Sequence, residues 1–90
     1  MDKVLRLRLN DLEWREIEGE IVILDLKSSS YMAINNTGRV IWKALTSGAT
    51  RAQLVAELIG AFSIHEEVAE RDVDEFLESL EEAHLLNEPE

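Results

Sequence analysis

The amino-acid sequence predicts an α+β domain of the winged helix-turn-helix type, with a three-stranded antiparallel sheet followed by three helices. Three observations support this fold class. Val4 to Leu9 alternates apolar and polar side chains with the period of two that is typical of strands, and short runs with β-branched or aromatic residues, separated by turn residues, continue to Ile34. From Asn35 onwards, apolar residues recur with helical spacing. The first two helical segments are joined by a short turn that contains Gly48, as in a helix-turn-helix.

Turn residues separate the three strands of the predicted sheet. Leu12 to Ile17 is the first strand, and Glu18-Gly19 supplies a tight turn because glycine adopts positive φ at little cost. Residues 20–26 are rich in β-branched side chains and form the second strand. A polar turn over residues 27–30 leads to the third strand, Tyr31 to Ile34. Residues 12–34 are therefore predicted to form an antiparallel meander.

The two faces of the second strand differ in polarity. Val22 and Leu24 lie on one face, whereas Ile21, Ile23 and Asp25 lie on the other. Because a carboxylate favours water, Asp25 indicates that its own face is the more solvated of the two.

Capping residues mark the starts of the first two helices. Asn35 to Gly38 opens the first helix, where Asn and Thr side chains bond to the free amides of the first turn. Thr50 precedes the second helix, and Gln53 three residues later completes a capping box. The third helix is predicted over residues 66–85 and is the longest. The apolar stripes of the first two helices consist of Val40, Ile41, Ala44 and Leu45, with Trp42 beside them, and of Leu54, Val55, Leu58, Ile59 and Phe62.

The ends of the chain are expected to lie outside this unit. Val4 to Leu9 alternates apolar and polar residues, so residues 1–11 are interpreted as an N-terminal arm or an extra strand. Residues 12–86 form the domain, and residues 87–90, which include Pro89, form a tail. The alternation by itself leaves open where the arm packs.

Composition restricts the class of protein. Ninety residues suffice for one domain, and a hydrophobic fraction of 46% is that of a globular chain. The absence of cysteine excludes disulfides and thiolate metal sites. The first residues lack the apolar core of a signal peptide, and no apolar run approaches the roughly 18–20 residues of a membrane span. We expect a soluble cytoplasmic protein.

Negative charge is concentrated in the last third of the chain. Eleven of the nineteen acidic residues lie in residues 61–90, together with a single base, Arg71. Such a surface repels nucleic acid and attracts basic partners, although acidic residues also serve solubility alone. The second helix, where a helix-turn-helix protein reads DNA, offers Arg51 and Gln53 but also Glu57. We therefore expect no nucleic-acid partner.

Reactive side chains are sparse. His65 and His84 are the two histidines, and they do not have the spacing of a metal motif. The glycines are isolated, so the sequence contains no phosphate-binding loop. The many glutamates of the third helix are interpreted as a solvated face rather than an acid–base pair. We expect no enzymatic activity, no catalytic residues, no cofactor and no metal.

The third strand of the meander is predicted to be a sheet edge. An open edge presents unpaired backbone groups to which a peptide adds as a further strand. The alternative is that the N-terminal arm, Val4 to Leu9, covers this edge. The residue pattern leaves both possibilities open.

Several runs of residues resemble the PqqD-like family over roughly residues 12–86. They are Ile23-Leu24-Asp25-Leu26, Tyr31-Met32-Ala33-Ile34-Asn35, Thr37-Gly38-Arg39-Val40-Ile41-Trp42, and the stretch from Ala69-Glu70-Arg71-Asp72-Val73 through Phe76-Leu77 to Leu85-Leu86. The resemblance implies a domain that binds the leader segment of a ribosomally made precursor peptide. It also implies that the leader adds as an antiparallel strand to the third strand, against the third helix.

The resemblance implies a set of candidate peptide-binding residues on these two elements. Tyr31 is expected to form a pocket wall, and Phe76 to belong to the core or to the wall of a groove. Asp72 is expected either to bond within its own helix and loops or to contact the leader. The full set is Ser29, Ser30, Tyr31, Met32, Ala33, Ile34, Asp72, Glu75, Phe76, Ser79 and Glu82.

The resemblance also implies the partners. Trp14-Arg15-Glu16 and the pattern around Tyr31 are closer to the free-standing domains of lasso peptide biosynthesis, which serve a leader peptidase and a cyclase. The alternatives are a carrier for a radical enzyme, as in pyrroloquinoline quinone synthesis, and an adaptor that binds a protein other than a leader. One departure is His84, where related sequences tend to have glycine; histidine there has a small steric cost, and the helix end is expected to differ.

Overall fold

A computed structural model describes residues 3–87, which form two small sheets and three helices. The predicted fold class, three antiparallel strands followed by three helices, is confirmed. In chain order the elements are β1 (Val4–Leu7), β2 (Leu12–Ile17), β3 (Glu20–Asp25), β4 (Ser30–Ile34), α1 (Asn36–Leu45), β5 (Ala49–Thr50), α2 (Arg51–Phe62), α3 (Glu66–Glu82) and β6 (Leu86–Asn87).

The predicted meander is the sheet β2-β3-β4, which is antiparallel throughout. Ile17 pairs with Glu20, so the connection is the two-residue turn Glu18-Gly19, and both turn residues have positive φ, 52° and 84°. This backbone matches the right-handed twist of the flanking strands. In the second hairpin Asp25 pairs with Ser30. β4 therefore lies at one edge of this sheet.

The prediction that Asp25 marks the wetter face of β3 is wrong. Ile21 and Ile23, on the same face as Asp25, are 0% and 1% exposed, whereas Leu24 on the opposite face is 40% exposed. Asp25 itself is buried. The physical reason is that Arg8 of the N-terminal arm forms an ion pair with the carboxylate, which compensates its removal from water.

The helix boundaries follow the predicted caps at the first two starts. Gly38 N–H donates to the side chain of Asn35 at 2.9 Å. Thr50 and Gln53 form the reciprocal capping box, with distances of 2.8 and 3.1 Å. α3 ends at Glu82, three residues before the predicted end.

The end of α3 has the backbone that glycine usually supplies. His84 has φ 59°, in the left-handed region, and the amide of Leu85 donates to the carbonyl of Leu80 at 2.9 Å. Together with the bond from His84 N–H to the carbonyl of Glu81, this is the Schellman pattern. The helix end therefore retains the left-handed backbone expected of the glycine in related sequences, although the residue is histidine.

The N-terminal arm forms β1 and does not cover β4. β1 is the central strand of a second sheet, β5-β1-β6, and so joins the segment between α1 and α2 to the short strand that follows α3. Leu5 and Leu7 point into the common core. The predicted tail lies outside the described residues except for Asn87, which ends β6.

The core lies between the meander and the helices. Trp42 is fully buried, and the ring of Trp14 meets it edge-on, with a centroid distance of 6.1 Å. Glu16 on β2 accepts from Arg39 and Lys43 of α1, which fixes that helix against the sheet. Among the helices within residues 3–87, none is long and apolar enough to cross a membrane.

Candidate peptide-binding cleft

The outer edge of β4 carries no strand within residues 3–87, because the sheet ends there and β1 pairs elsewhere. Alternate residues of an edge strand direct their N–H and C=O groups away from the sheet. This edge therefore offers backbone donors and acceptors to an incoming segment.

Two hollows separate α3 and the turn that ends it from β4 and from the start of α1, and we refer to the two hollows together as the cleft. The Gly38 hollow, of about 260 Å³, is lined by Asn35, Thr37, Gly38, Asp72, Glu75 and Phe76. The Met32 hollow, of about 240 Å³, lies towards the other end of β4 and is lined by Ile23, Asp25, Ser28, Ser30, Tyr31, Met32, Glu82, Ala83, His84 and Leu85.

The Gly38 hollow exists because glycine allows α1 to approach α3 and β4 closely. A Cβ at residue 38 would lie 2.7 Å from Cε1 of Phe76 and would overlap the side chain of Ile34. Real Cβ atoms do not come this close to carbon. Phe76, which is half-buried, is thus held between Gly38 and the cleft, and it serves as both core and wall.

Three carboxylates of α3 border the cleft. Asp72 and Glu75 line the Gly38 hollow, and Glu82 lines the Met32 hollow. Within residues 3–87, the side chains of Glu75 and Glu82 form no hydrogen bond or ion pair, and the side chain of Asp72 has only that of its neighbour Arg71 at 4.0 Å. Asp72 was expected either to bond within its own helix and loops or to contact the leader. Among the described residues, no hydrogen bond of the first kind reaches its side chain. The rim of the cleft is negatively charged.

Asp25 lines the Met32 hollow, and its charge is compensated by an ion pair within the protein. Its Oδ2 accepts from Arg8 at 2.9 Å, and its Oδ1 accepts from Lys27 N–H at 3.0 Å. Burial alone raises the pKa of Asp25. Hydrogen bonds from Arg8, Lys27 and Ser28, together with the charge of Arg8, outweigh burial and hold the pKa below its usual value of 3.8.

The structure places four candidate residues of β4 on two alternating sets of positions. Ser30 and Met32 pair with Asp25 and Ile23 on the inner face and line the cleft. Tyr31 and Ala33 lie on the alternate, outer positions, and Tyr31 is 76% exposed at the rim.

Two further candidates on or beside β4 contribute differently. Ile34 is buried, so only its backbone is available to a ligand. Ser29 lies in the turn before the strand, with φ 57°.

The candidates on α3 share one face of that helix. Asp72, Glu75 and Phe76 come together at the Gly38 hollow, and Glu82 lies at the other. Ser79 lies between them in sequence but lines neither hollow, and its hydroxyl donates to the carbonyl of Phe76 at 2.8 Å.

Sequence reasoning missed several residues that shape the cleft. Gly38 had a signal, because a glycine inside a helix often marks a close approach. Asn35 and Thr37 were assigned to the cap of the first helix and Ala83 to Leu85 to the third helix, and none of them was a binding candidate. Arg8 gave no signal, since nothing in the sequence connects residue 8 with residue 25.

The acidic and histidine side chains of residues 3–87 do not converge on a metal site. No group of three or more His, Cys, Asp or Glu side chains in this part of the chain has the arrangement that would hold a metal ion.

Fold and site together define a small α+β domain with an open strand edge beside an acidic helix. Residues 20–86 match the family described as "Coenzyme PQQ synthesis protein D (PqqD)". Because this match covers most of the chain, the protein belongs to the PqqD family. No match was found among curated proteins.

Two solved structures have the same fold. One is "TbiB1 in Complex with the TbiA(beta) Leader Peptide", with a TM-score of 0.83 and 26% identity over 91% of this chain and 94% of that one. The other is "Lasso peptide synthetase B1 complexed with the leader peptide", with a TM-score of 0.80 and 26% identity over 92% and 96%. Both similar proteins are therefore seen with a leader peptide bound.

Proposed function

We propose that this protein binds the leader segment of a ribosomally synthesised precursor peptide, as an antiparallel strand added to β4 in the cleft against α3, and delivers it to a leader peptidase and a cyclase. The observation that carries the proposal is the open edge of β4 facing α3 across the cleft. The similar proteins with bound leaders support this reading.

The cleft gives such a strand two kinds of contact. Backbone bonds to β4 supply affinity that depends little on sequence, and the hollows select alternate side chains. Because neighbouring strand residues point to opposite faces, every second leader residue enters the cleft and the others lie beside Tyr31 and Ala33 on the outer face. The Met32 hollow, with Ile23, Met32 and Leu85 in its lining, suits an apolar leader side chain.

Charge contributes to capture. Asp72, Glu75 and Glu82 border the cleft and lack strong partners within residues 3–87. An acidic rim raises the association rate of a basic segment more than it raises affinity. We propose that the leader carries basic residues near its apolar contacts.

Two pathways compete for the identity of the downstream enzymes. The solved structures with leader peptides favour lasso peptide biosynthesis. The family description favours a carrier of a precursor peptide in coenzyme PQQ synthesis. The neighbouring genes separate these possibilities, since a short precursor with a peptidase and a cyclase indicates the first pathway and a radical enzyme indicates the second.

A DNA-binding role has little support from the second helix. Arg51 forms a bidentate pair with Asp74 of α3, at 2.7 and 2.9 Å. The side chain of Gln53 is engaged in the capping box. Both side chains that direct readout would require are thus already bonded within the protein.

The direct test is to titrate the labelled leader of the precursor encoded beside this gene against the wild-type protein and against Met32→Pro and Ala33→Pro. Proline removes the backbone donor. Since adjacent strand residues point their amides in opposite directions, one proline removes an outward donor and the other a bond to β3. We expect the proline that removes the outward donor to abolish binding with the fold intact. We expect the proline that removes a bond to β3 to destabilise the sheet.

Met32→Ala and Ala33→Ser are the matched controls, because both retain the amide. Circular dichroism reports whether each variant is folded. Wild-type affinity in both proline variants would exclude strand addition at β4. Absence of binding by the wild-type protein at tens of micromolar leader would refute the proposed function as a whole.

A further inference from the structure

The two walls of the Met32 hollow come from distant parts of the chain. Asp25 and Ser30 belong to the meander, whereas Ala83 to Leu85 follow α3. Within residues 3–87, no hydrogen bond runs directly from the meander to α3 or to the turn that ends it. Apolar residues of both walls, such as Ile23 and Leu85, belong to the common core, so the direct contact between the walls is non-directional packing. A polar link between them requires a third element.

The side chain of Arg8 bridges these walls. Its Nη2 donates to Asp25 Oδ2 at 2.9 Å, on the sheet side, and its Nε donates to the carbonyl of His84 at 2.8 Å, on the helix side. Its Nη1 donates to the carbonyl of Asn10 at 2.6 Å, which fixes the guanidinium relative to its own arm. The backbone amide of Arg8 also donates to the carbonyl of Leu85 at 2.7 Å.

The chemistry of this bridge is specific to arginine. A guanidinium is planar and presents its donors in a fixed fork, so the distance between the two acceptors is set by the group itself. A lysine ammonium is a single point charge on a flexible chain and does not impose that distance. Asp25 is equally constrained, because its second oxygen accepts from Lys27 in the turn before β4.

Arg8 lies behind the cleft rather than in it. Its side chain is 18% exposed, its donors are directed at protein acceptors, and it does not line the Met32 hollow. A leader strand on β4 would contact Met32 and Ser30, not Arg8. Any influence of Arg8 on binding must therefore pass through the positions of Asp25 and His84.

We infer that Arg8 is a positioning residue that sets the width of the Met32 hollow, and so determines which leader side chain is accepted there. The part of this inference that concerns the leader rests on the proposed function, whereas the part that concerns the width of the hollow does not. It gives the N-terminal arm a role in recognition, although the arm does not form the strand edge.

The width is measurable without a ligand. Because the chain contains no cysteine, Lys27→Cys and Glu81→Cys place two spin labels uniquely, one at the turn before β4 and one near the end of α3. We expect the distance distribution to lengthen or broaden in Arg8→Met and to do so partly in Arg8→Lys. Arg6→Met is the matched control, since Arg6 lies on the same arm but donates at 3.4 Å to Ser47, away from the cleft.

Binding is tested with two probes, the leader of the neighbouring precursor and the TbiA(beta) leader. For Arg8→Met we expect affinity for a leader that binds the wild type to fall about ten-fold or more, or about 1.4 kcal/mol, because the hollow no longer holds the width that fits the leader side chain. An alanine at the leader position that occupies the Met32 hollow should then weaken the wild-type complex but have little further effect on the variant. If Arg8 has a purely structural role, the leader alanine should weaken binding to the wild type and to Arg8→Met by the same factor.

The outcomes separate the two ideas. If neither leader binds the wild type, the proposed function fails, and the label distances still decide whether Arg8 sets the width. If the leader binds both proteins equally and the distances agree, Arg8 does not position the cleft. If Arg8→Met does not fold, the spin-label distance and the leader affinity are measured in Arg8→Lys and Asp25→Asn instead. A label distance and a leader affinity equal to those of the wild type in both variants would overturn the inference.

Discussion

Gly38 lies so close to Phe76 that a Cβ at residue 38 would come within 2.7 Å of the phenyl ring. This contact joins the start of α1 to the middle of α3 and brings both against the end of β4. The position of Phe76, and with it one hollow of the cleft, depends on the absence of a single methyl group.

The first prediction concerns Gly38→Ala. The added methyl group forces Phe76 and Ile34 to shift, and we expect a loss of about 1–3 kcal/mol in the free energy of unfolding, the usual cost of overpacking. Leader affinity should fall as well, because Phe76 lines the Gly38 hollow. Urea denaturation and titration of the leader measure the two effects.

Gly60→Ala is the matched control, since Gly60 lies in α2 and a Cβ at that residue would have no neighbouring atom within 4 Å. There alanine should stabilise the helix by about 0.5–1 kcal/mol. Equal effects at residues 38 and 60 would contradict the importance of the contact with Phe76.

The second prediction concerns the acidic rim. Glu75→Gln with Glu82→Gln should slow the association of a leader that carries basic residues, with little change in dissociation, because rim charges act mainly on encounter. The difference should shrink as salt rises, since the screening length falls from about 10 Å at 0.1 M to about 3 Å at 1 M. Stopped-flow fluorescence at two salt concentrations measures both trends.

Glu78→Gln with Glu81→Gln, on exposed parts of the same helix outside the cleft lining, removes the same two charges and provides the control for net charge. Equal slowing by this pair would show that overall charge, rather than the rim of the cleft, attracts the leader.

The third prediction concerns pH. The pKa of Asp25 in the folded protein lies below its usual 3.8, because hydrogen bonds and the charge of Arg8 outweigh burial. Its contribution to stability is therefore fully present above that usual value and is lost as pH falls through the lower, folded pKa. Asp25→Asn should reduce the free energy of unfolding near neutral pH and reduce it less at strongly acidic pH.

Denaturation of both proteins from pH 7 to pH 2 checks this difference. A gap between the wild type and Asp25→Asn that stays constant across this range would mean that the carboxylate is not charged and paired as described.

The fourth prediction concerns His84. Its φ of 59° is unfavourable for residues with a Cβ, so His84→Gly should raise the free energy of unfolding by about 1 kcal/mol. His84→Ala keeps the unfavourable backbone and should give no such gain. Ser63→Gly, at the left-handed end of α2, is a parallel case with the same expected sign. A gain from alanine equal to that from glycine would place the cost in the imidazole instead of the backbone.

Local chemistry made much of the fold predictable from the sequence. The caps at Asn35 and Thr50 bond to amides three residues away, so their pattern is visible in the sequence itself. The same holds for the Glu18-Gly19 turn, whose geometry depends on two residues. The position of β4 at the edge of the meander followed from the order of the strands, whereas only the pairing of β1 with β5 and β6 showed that the N-terminal arm does not cover this edge.

Contacts between distant residues decided the rest. Asp25 was assigned to the wrong environment because its partner, Arg8, is seventeen positions away and belongs to the N-terminal arm rather than to the meander. The width of the cleft and the route of Val4–Leu7 between β5 and β6 are likewise set by packing. The sequence by itself determined the three strands of the meander, the three helices, the caps of the first two helices and the candidate strand edge, because these depend on short-range periodicity and hydrogen bonding. Only the tertiary structure decided which groups meet at the cleft, because burial and pairing of a charge depend on residues that the chain brings together from far apart.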